Sequence, residues 1–154
     1  MKIPMRKADR RISDEETLEI LKKGIYGILS MCAPSGEAYG IPLNYVIKGR
    51  EIYFHCAMQG SKLDFLKNNN KASFCVVGKA EIIPDKFSTR YESVIASGIT
   101  SLIDGEEKRE ALIKLVEKYS PDFIREGVQH IDKNGNITAV FKLSIENITG
   151  KSRK

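Results

Sequence analysis

Three runs rich in strand-forming residues, 25–32, 38–47 and 51–56, follow one another with only Ala33-Pro-Ser-Gly36 and Lys48-Gly-Arg50 between them. Connections this short join antiparallel neighbours, because parallel strands need a crossover of about a dozen residues or more. Further runs rich in Val, Ile, Phe and Tyr occupy 71–77, 80–83 and 90–100, interrupted by Asp85-Lys-Phe-Ser88. Helical patterns occur only between these blocks, so the regular strand-helix-strand rhythm of a doubly wound fold is absent. The expected architecture is mainly β, an antiparallel barrel with helices outside it. A chain of 154 residues, 42% of them hydrophobic, can bury one core, so residues 1–154 are read as one domain.

Helix boundaries are marked by capping chemistry. Ser13 and Glu16 form the pattern of a capping box, and Lys22-Lys23-Gly24 supplies a basic last turn and a glycine stop. Leu18, Ile20 and Leu21 fall toward one side of that helix. A second, short helix is expected after Gly60, with Ser61 as its N-cap, Leu63 and Leu66 facing inward and Asn68-Asn-Asn70 at its end. The strongest helical stripe is Ala111, Leu112, Leu115, Val116 and Tyr119 within 104–119, opened by another capping-box pattern at Asp104 and Glu107 and closed by Pro121. Residues 137–145 alternate Ile137, Ala139, Phe141, Leu143 and Ile145 with mostly polar residues, as a strand with one buried face does. In the run 51–56, Ile52, Phe54 and Cys56 share one face, and Tyr53, His55 and Ala57 share the other. Pro42 cannot donate to a ladder, so its strand must be bulged, at an edge, or open to a ligand there.

Several function classes are excluded. The odd number of cysteines, Cys32, Cys56 and Cys75, sit in apolar stretches with no CxxC pair, against a disulfide framework or structural zinc. His55 and His130, the two histidines, lack metal-ligand spacing, and no metal site is expected. No GxSxG, P-loop, GxGxxG or HExxH occurs. The basic N-terminus has no apolar core behind it and no run approaches the roughly 20 apolar residues of a membrane helix. The expected setting is therefore the cytoplasm, with no membrane partner. The net charge of +5 gathers partly at basic terminal segments, 1–10 and 150–154, with Lys2, Arg6, Lys7, Arg10 and Arg11 at or near one end and Lys151, Arg153 and Lys154 at the other. Alone, such clusters read as solvated tails, or as attractors of a phosphate-bearing ligand.

The stretch Tyr53-Phe-His-Cys-Ala-Met-Gln-Gly-Ser-Lys62 runs from a strand through a glycine loop into a helix start bearing a lysine. Backbone N–H groups near Ser61, the Ser61 hydroxyl and the Lys62 ammonium are the donors a phosphate dianion needs. An ordinary capped surface helix has the same signature.

Several blocks together resemble the nitroimidazole-reductase (Nim) branch of the pyridoxamine-phosphate-oxidase-like proteins. Met5-Arg-Lys-Ala-Asp-Arg-Arg11 resembles their N-terminal signature, and Ile41-Pro-Leu-Asn-Tyr-Val46 their Pro-Leu-Asn strand. Tyr53-Phe-His55 with Gly60 and Lys62 resembles their central segment, and Arg90-Tyr-Glu-Ser-Val94 with Gly98 a later strand. The resemblance implies a split β-barrel that binds FMN near a homodimer interface. It implies contacts to the isoalloxazine from the backbone around Leu43, Asn44 and Tyr45, and contacts on the phosphate side and adjacent cofactor from His55, Cys56, Ala57 and Lys62, beside the Ser61 donor read above. Ser93, Val94 and Lys151 are further implied contacts. Ser61 stands where relatives often carry Arg, and Cys56 where a small hydroxyl residue is common. The C-terminal Gly150-Lys-Ser-Arg-Lys154 lacks the Arg-Leu-x-Pro ending of the true oxidases, against vitamin B6 oxidation.

The implied activity is FMN-dependent reduction of a small electron-poor aromatic such as a nitroimidazole, with NAD(P)H as a candidate donor. His55 is the one side chain read as catalytic, in positioning or proton handling. A flavin- or haem-binding module without turnover is the alternative from another class, since these barrels host different functions. A nucleic-acid-binding barrel is disfavoured, because no aromatic platform stands apart from positions that read as core.

Overall fold

The structure is a computed structural model that describes residues 3–154; Lys2, counted with the N-terminal basic group, lies outside them. In chain order the elements are α1 (Asp14–Lys23), β1 (Gly27–Cys32), β2 (Ala38–Leu43), β3 (Val46–Lys48), β4 (Glu51–Ala57), α2 (Ser61–Asn68) and β5 (Lys71–Ile83). They continue with β6 (Ser88–Ile103), α3 (Gly105–Tyr119), α4 (Ile124–Asn134) and β7 (Thr138–Arg153). Among the described residues no helix is long and apolar enough to cross a membrane.

The strands form one sheet of seven in the order β2-β1-β5-β6-β7-β4-β3. Every pairing is antiparallel. The outermost strands, β2 and β3, are consecutive in the chain, with only Asn44 and Tyr45 between them. Three Cα steps of about 3.8 Å join Leu43 to Val46, so the two edges of the sheet come within roughly 11 Å of each other. The sheet must therefore curl until its edges meet, without β2 and β3 pairing. That is the split barrel.

The expected single run 38–47 is thus two strands on opposite edges. The break falls where Tyr45 gives its backbone to side chains: its N–H donates to Tyr119 Oη at 2.9 Å, and its carbonyl accepts from Lys118 Nζ at 2.9 Å. Pro42 lies on the edge strand β2, opposite Ile28. An edge needs no donor on its outer side, so proline is tolerated there. The runs 71–77 and 80–83 are one strand, β5, continuous through an irregularity between Val77 and Ala80.

Inside the barrel, alternation buries Leu29 and Met31 from β1, Phe74 and Val76 from β5, Val94 and Ala96 from β6, and Phe141 and Leu143 from β7. Phe54 on β4 stacks on Phe141 and meets the Phe74 edge, both at 5.0 Å between ring centres. Fully burying each such side chain stabilises the fold by about 1.5–3 kcal/mol. The opposite face of β4 and β7 offers Tyr53 and Val140 to Ala111, Leu112 and Leu115 of α3, a second apolar layer. Where β6 passes β7, Gly98 is obligatory, because a Cβ there would lie 1.8 Å from the Ser144 carbonyl oxygen.

The caps differ in detail from expectation. The Ser13–Glu16 box forms in both directions. Asp104 caps α3 through the Gly105 N–H at 2.8 Å, while Glu107 turns away to accept from Tyr53 Oη at 3.0 Å and Lys142 Nζ at 2.7 Å. These partners hold the Glu107 carboxyl below its ordinary range, Lys142 first, and the buried Tyr53 phenol is pushed up to about 12. Gly60, not Ser61, is the N-cap of α2. Ile137 falls in a 3-10 turn and is exposed, so the final strand starts one residue later than expected and runs on to Arg153. Helix α4, unmarked in the sequence analysis, packs on α3 with Gly127 close against Val116.

Candidate functional site

The end of β4 feeds the loop Met58-Gln59-Gly60 and then α2. Gly60 has φ +148, a conformation that residues with a Cβ rarely adopt, and nothing lies within 4 Å of where its Cβ would be. The turn is therefore open around Gly60, directly before the first amides of α2. The N–H groups at the start of a helix have no intrahelical acceptor and carry a partial positive charge.

Lys62 sits in that first turn. Its ammonium is near enough to act on both His55 and Cys56, although these neighbours project from opposite faces of β4. His55 is exposed at its surface, yet desolvation by the surrounding protein first, and the Lys62 charge second, hold its ring below the usual imidazole range. Burial raises the Cys56 thiol, and Lys62 opposes it. His55 is thus a neutral imidazole at pH 7, and Cys56 a protonated thiol. His55 pairs across the ladder with Val140, Cys56 with Ala139 and Ala57 with Thr138. Val46 faces Tyr53 in the β3–β4 pairing, so carrying that register back two residues puts Asn44 level with His55. Asn44 is exposed and Leu43 half-buried. Leu43 ends the edge strand β2 and Asn44 follows it into the crossover, so both lie at the open edge of the sheet.

Two expected contacts do not reach it. The Tyr45 side chain is fully buried, its hydroxyl donates to the Leu21 carbonyl, and both of its backbone polar groups are engaged as described above. Val94 is fully buried in the barrel, and its strand is paired on both sides, with Val76 and with Gly150. Strand alternation is the cause in the second case: Ser93 projects outward, so Val94 must project inward.

Ser93 and Lys151 face each other on the outer surface, at the other end of the sheet. Lys151 is eleven residues further along β7 than Val140, the partner of His55. At about 3.3 Å per residue that is roughly 36 Å of strand.

Sequence reasoning missed two features. Tyr119 appears there only as part of an apolar stripe, yet its hydroxyl accepts from the Tyr45 N–H and lies 2.6 Å from the Ile25 carbonyl oxygen and 3.0 Å from that of Tyr45. Lys118 lies 3.9 Å above the Tyr45 ring, and burial lowers its ammonium to about 8. Together they fix the crossover that carries Leu43 and Asn44. The second feature is a cleft of about 590 Å³ over β1 and β5, lined by Lys23, Ile25, Tyr26, Ile28, Cys75 and Val77 among others. It adjoins the crossover, because Gly27 pairs with Leu43. The available signal was Ile25-Tyr26, which stands exposed ahead of β1 instead of inside it.

The sequence family described as pyridoxamine 5'-phosphate oxidase matches residues 13–152. No curated protein matches the chain in sequence. Among solved structures, a candidate 5-nitroimidazole antibiotic resistance protein from Bacteroides thetaiotaomicron superposes with a TM-score of 0.74 at 22% identity, covering 92% of this chain and 85% of that one. An FAD and heme binding protein from Mycobacterium smegmatis gives 0.82 at 20% identity, covering 94% of this chain and 74% of that one. An FAD-binding protein from Mesorhizobium loti gives 0.67 at 21% identity, covering 94% and 98%. At these identities the structural likenesses establish the fold.

Proposed function

The chain belongs to the pyridoxamine 5'-phosphate oxidase family, and from that premise we propose that it is a flavoprotein that holds FMN at the opening between α2 and the β2–β3 crossover. The reading extends to reduction of a small electron-poor aromatic, such as a nitroimidazole, with NAD(P)H as donor. The observation that carries it is the open Gly60 turn at the start of α2, with Ser61 and Lys62 in its first helical turn and the Lys62 charge acting on the end of β4. The residues fit a phosphate there: helix-start amides, one hydroxyl and one ammonium, with Asp64 the acidic residue of that turn.

Bound FMN would supply the two-electron redox step that no side chain of this protein offers. Lys62 and the amides at Ser61 and Lys62 hold the phosphate. Leu43 and Asn44 present backbone groups to the ring edge, kept in place by the Tyr119 and Lys118 contacts behind them. His55, neutral at pH 7, accepts or donates a hydrogen bond beside the phosphate end. Titration with FMN followed by flavin fluorescence is expected to show saturable binding, and no binding at micromolar protein would overturn the reading. Oxidation of NAD(P)H by a nitroaromatic then separates an enzyme from a module that binds without turnover.

The proposal includes a homodimer. Pro42, Ile28, Cys75 and Ile95 stand in one cross-strand row on the outer face. Ile95 is 52% exposed and Val77 59%. An uncovered apolar sheet face of this kind is ordinarily buried against a partner. Sedimentation should give a dimer, and Ile95→Lys should shift it toward monomer. A wild type that stays monomeric with FMN bound would remove the dimer from the proposal.

The state of His55 sets a pH dependence. Its folded pKa lies below the unfolded value of about 6.5, so on acidification the unfolded chain takes up this proton first. Stability should therefore fall as pH drops below about 6.5. His55→Asn should flatten that part of the curve. An unchanged slope would mean that the ring titrates as if in water.

A further inference from the structure

The two basic ends, far apart in sequence, meet in the fold. An isolated antiparallel bridge joins Arg11 to Lys151, and the Ile12 N–H donates to the Gly150 carbonyl at 3.2 Å. On β7, Lys151 faces Ser93 and Arg153 faces Tyr91, so two cations and two hydroxyls share the outer surface. Lys151 Nζ lies 5.6 Å from the centre of the Tyr91 ring. Lys151 and Arg10 both approach the Tyr91 hydroxyl and hold that phenol below its ordinary range.

These cations are not solvated tails, since β7 is in register with β6 through Arg153 and Arg10 belongs to a 3-10 turn. Arg10, Lys151 and Arg153 are half-buried. Among the described residues none of them, nor Arg11, forms an ion pair, although other cations of the chain do. Gathering partly desolvated like charges is costly unless an anion offsets them. The adjoining cleft, about 510 Å³, is lined by Arg10, Arg11, Arg153 and Lys154 together with Asp9 and Glu16, an excess of positive charge. Glu15, Glu16, Glu19 and Glu92 line the neighbouring groove. That acidic rim would repel a long polyanion, so the arrangement suits a compact one.

We propose that Arg10, Arg11, Lys151 and Arg153, gathered where the N-terminal segment meets the end of β7 beside Tyr91, form a second anion site, separate from the α2 opening, for the diphosphate of a small nucleotide-type ligand. The arginine forks match phosphate oxygens pairwise, and Lys151 adds a point charge. The site does not depend on the flavin reading.

Pyrophosphate is the probe, titrated calorimetrically into the full chain at low salt with FMN titrated in parallel. Wild type should bind it saturably, and Arg10→Gln with Arg153→Gln should weaken it on the order of a hundredfold, as loss of two charge-assisted contacts implies. Arg153→Lys should keep part of the affinity. A readout needing no variant is Tyr91: pyrophosphate bound to wild type should move phenol ionisation, followed at ultraviolet wavelengths, to higher pH. Absence of saturable binding would overturn the proposal. So would parallel loss of FMN affinity in the arginine variant, which would make the cluster a partner's half of the flavin site, or an affinity for oligonucleotides that grows with their length.

Discussion

Replacing Phe54 by alanine is expected to lower stability by about 3–5 kcal/mol, the usual cost of truncating a fully buried phenylalanine. Its side chain has no solvent exposure and lies between Phe141, stacked, and Phe74, edge-on. Those three residues come from β4, β7 and β5, so one ring ties together strands from different parts of the sheet. The cavity left behind has no flexible neighbour to fill it, because Ile52, Leu143 and Val76 around the centre are themselves fully buried on paired strands. Native stability of a domain is about 5–15 kcal/mol, so the variant should retain little margin. Urea unfolding of Phe54→Ala and Phe54→Leu gives the test, with the leucine variant losing distinctly less. A loss under about 1 kcal/mol for alanine would place Phe54 outside the packed centre. The effect also reaches the site, since His55 follows Phe54 on the same strand and depends on the same ladder with β7.

What could be read from the sequence were features with a local cause. The Ser13–Glu16 cap, the α3 stripe and the alternation through Phe141 and Leu143 each need only neighbouring residues to declare themselves. The division of 38–47 could not be read, because it is imposed by Tyr119 and Lys118, more than seventy residues away. Helix α4 was legible but unread: Ile124, Val128 and Ile131 recur at helical spacing, and Ile131 packs against the α3 layer. The last turn of β7 was hidden by its charges: Lys151 and Arg153 look like a solvated tail until β6 supplies backbone partners. The turn at Gly60 and the short helix after it were legible because a glycine before a helix start is a local signal, although the cap is Gly60 and not Ser61. Tyr45 and Val94 are buried in the fold for a physical reason: a motif names a position, while alternation and buried hydrogen bonding decide which way its side chain and amide point.

The role given to Lys62 has the largest expected effect on binding. Lys62→Ala should weaken FMN by about 1.5–3 kcal/mol, roughly ten- to 150-fold, which is the range for a hydrogen bond to a charged group. Riboflavin, which has no phosphate, should be almost unaffected. The comparison works because both flavins carry the same ring and differ only by the phosphate, the group that Lys62 is proposed to hold. Ser61 cannot substitute for the lost ammonium, since a hydroxyl contributes one neutral donor where relatives with arginine would carry a cationic fork. The Lys62 variant should also relieve His55 of a nearby positive charge and raise its pKa toward the ordinary imidazole value, which an NMR titration of the ring would detect. Raising salt should shrink the FMN difference only in part, because a half-buried contact is screened less than an exposed one. Equal weakening of FMN and riboflavin would move Lys62 from phosphate binding to support of the fold. Unchanged affinity for both, with the His55 shift still observed, would leave the α2 amides and Ser61 as the phosphate's only holders.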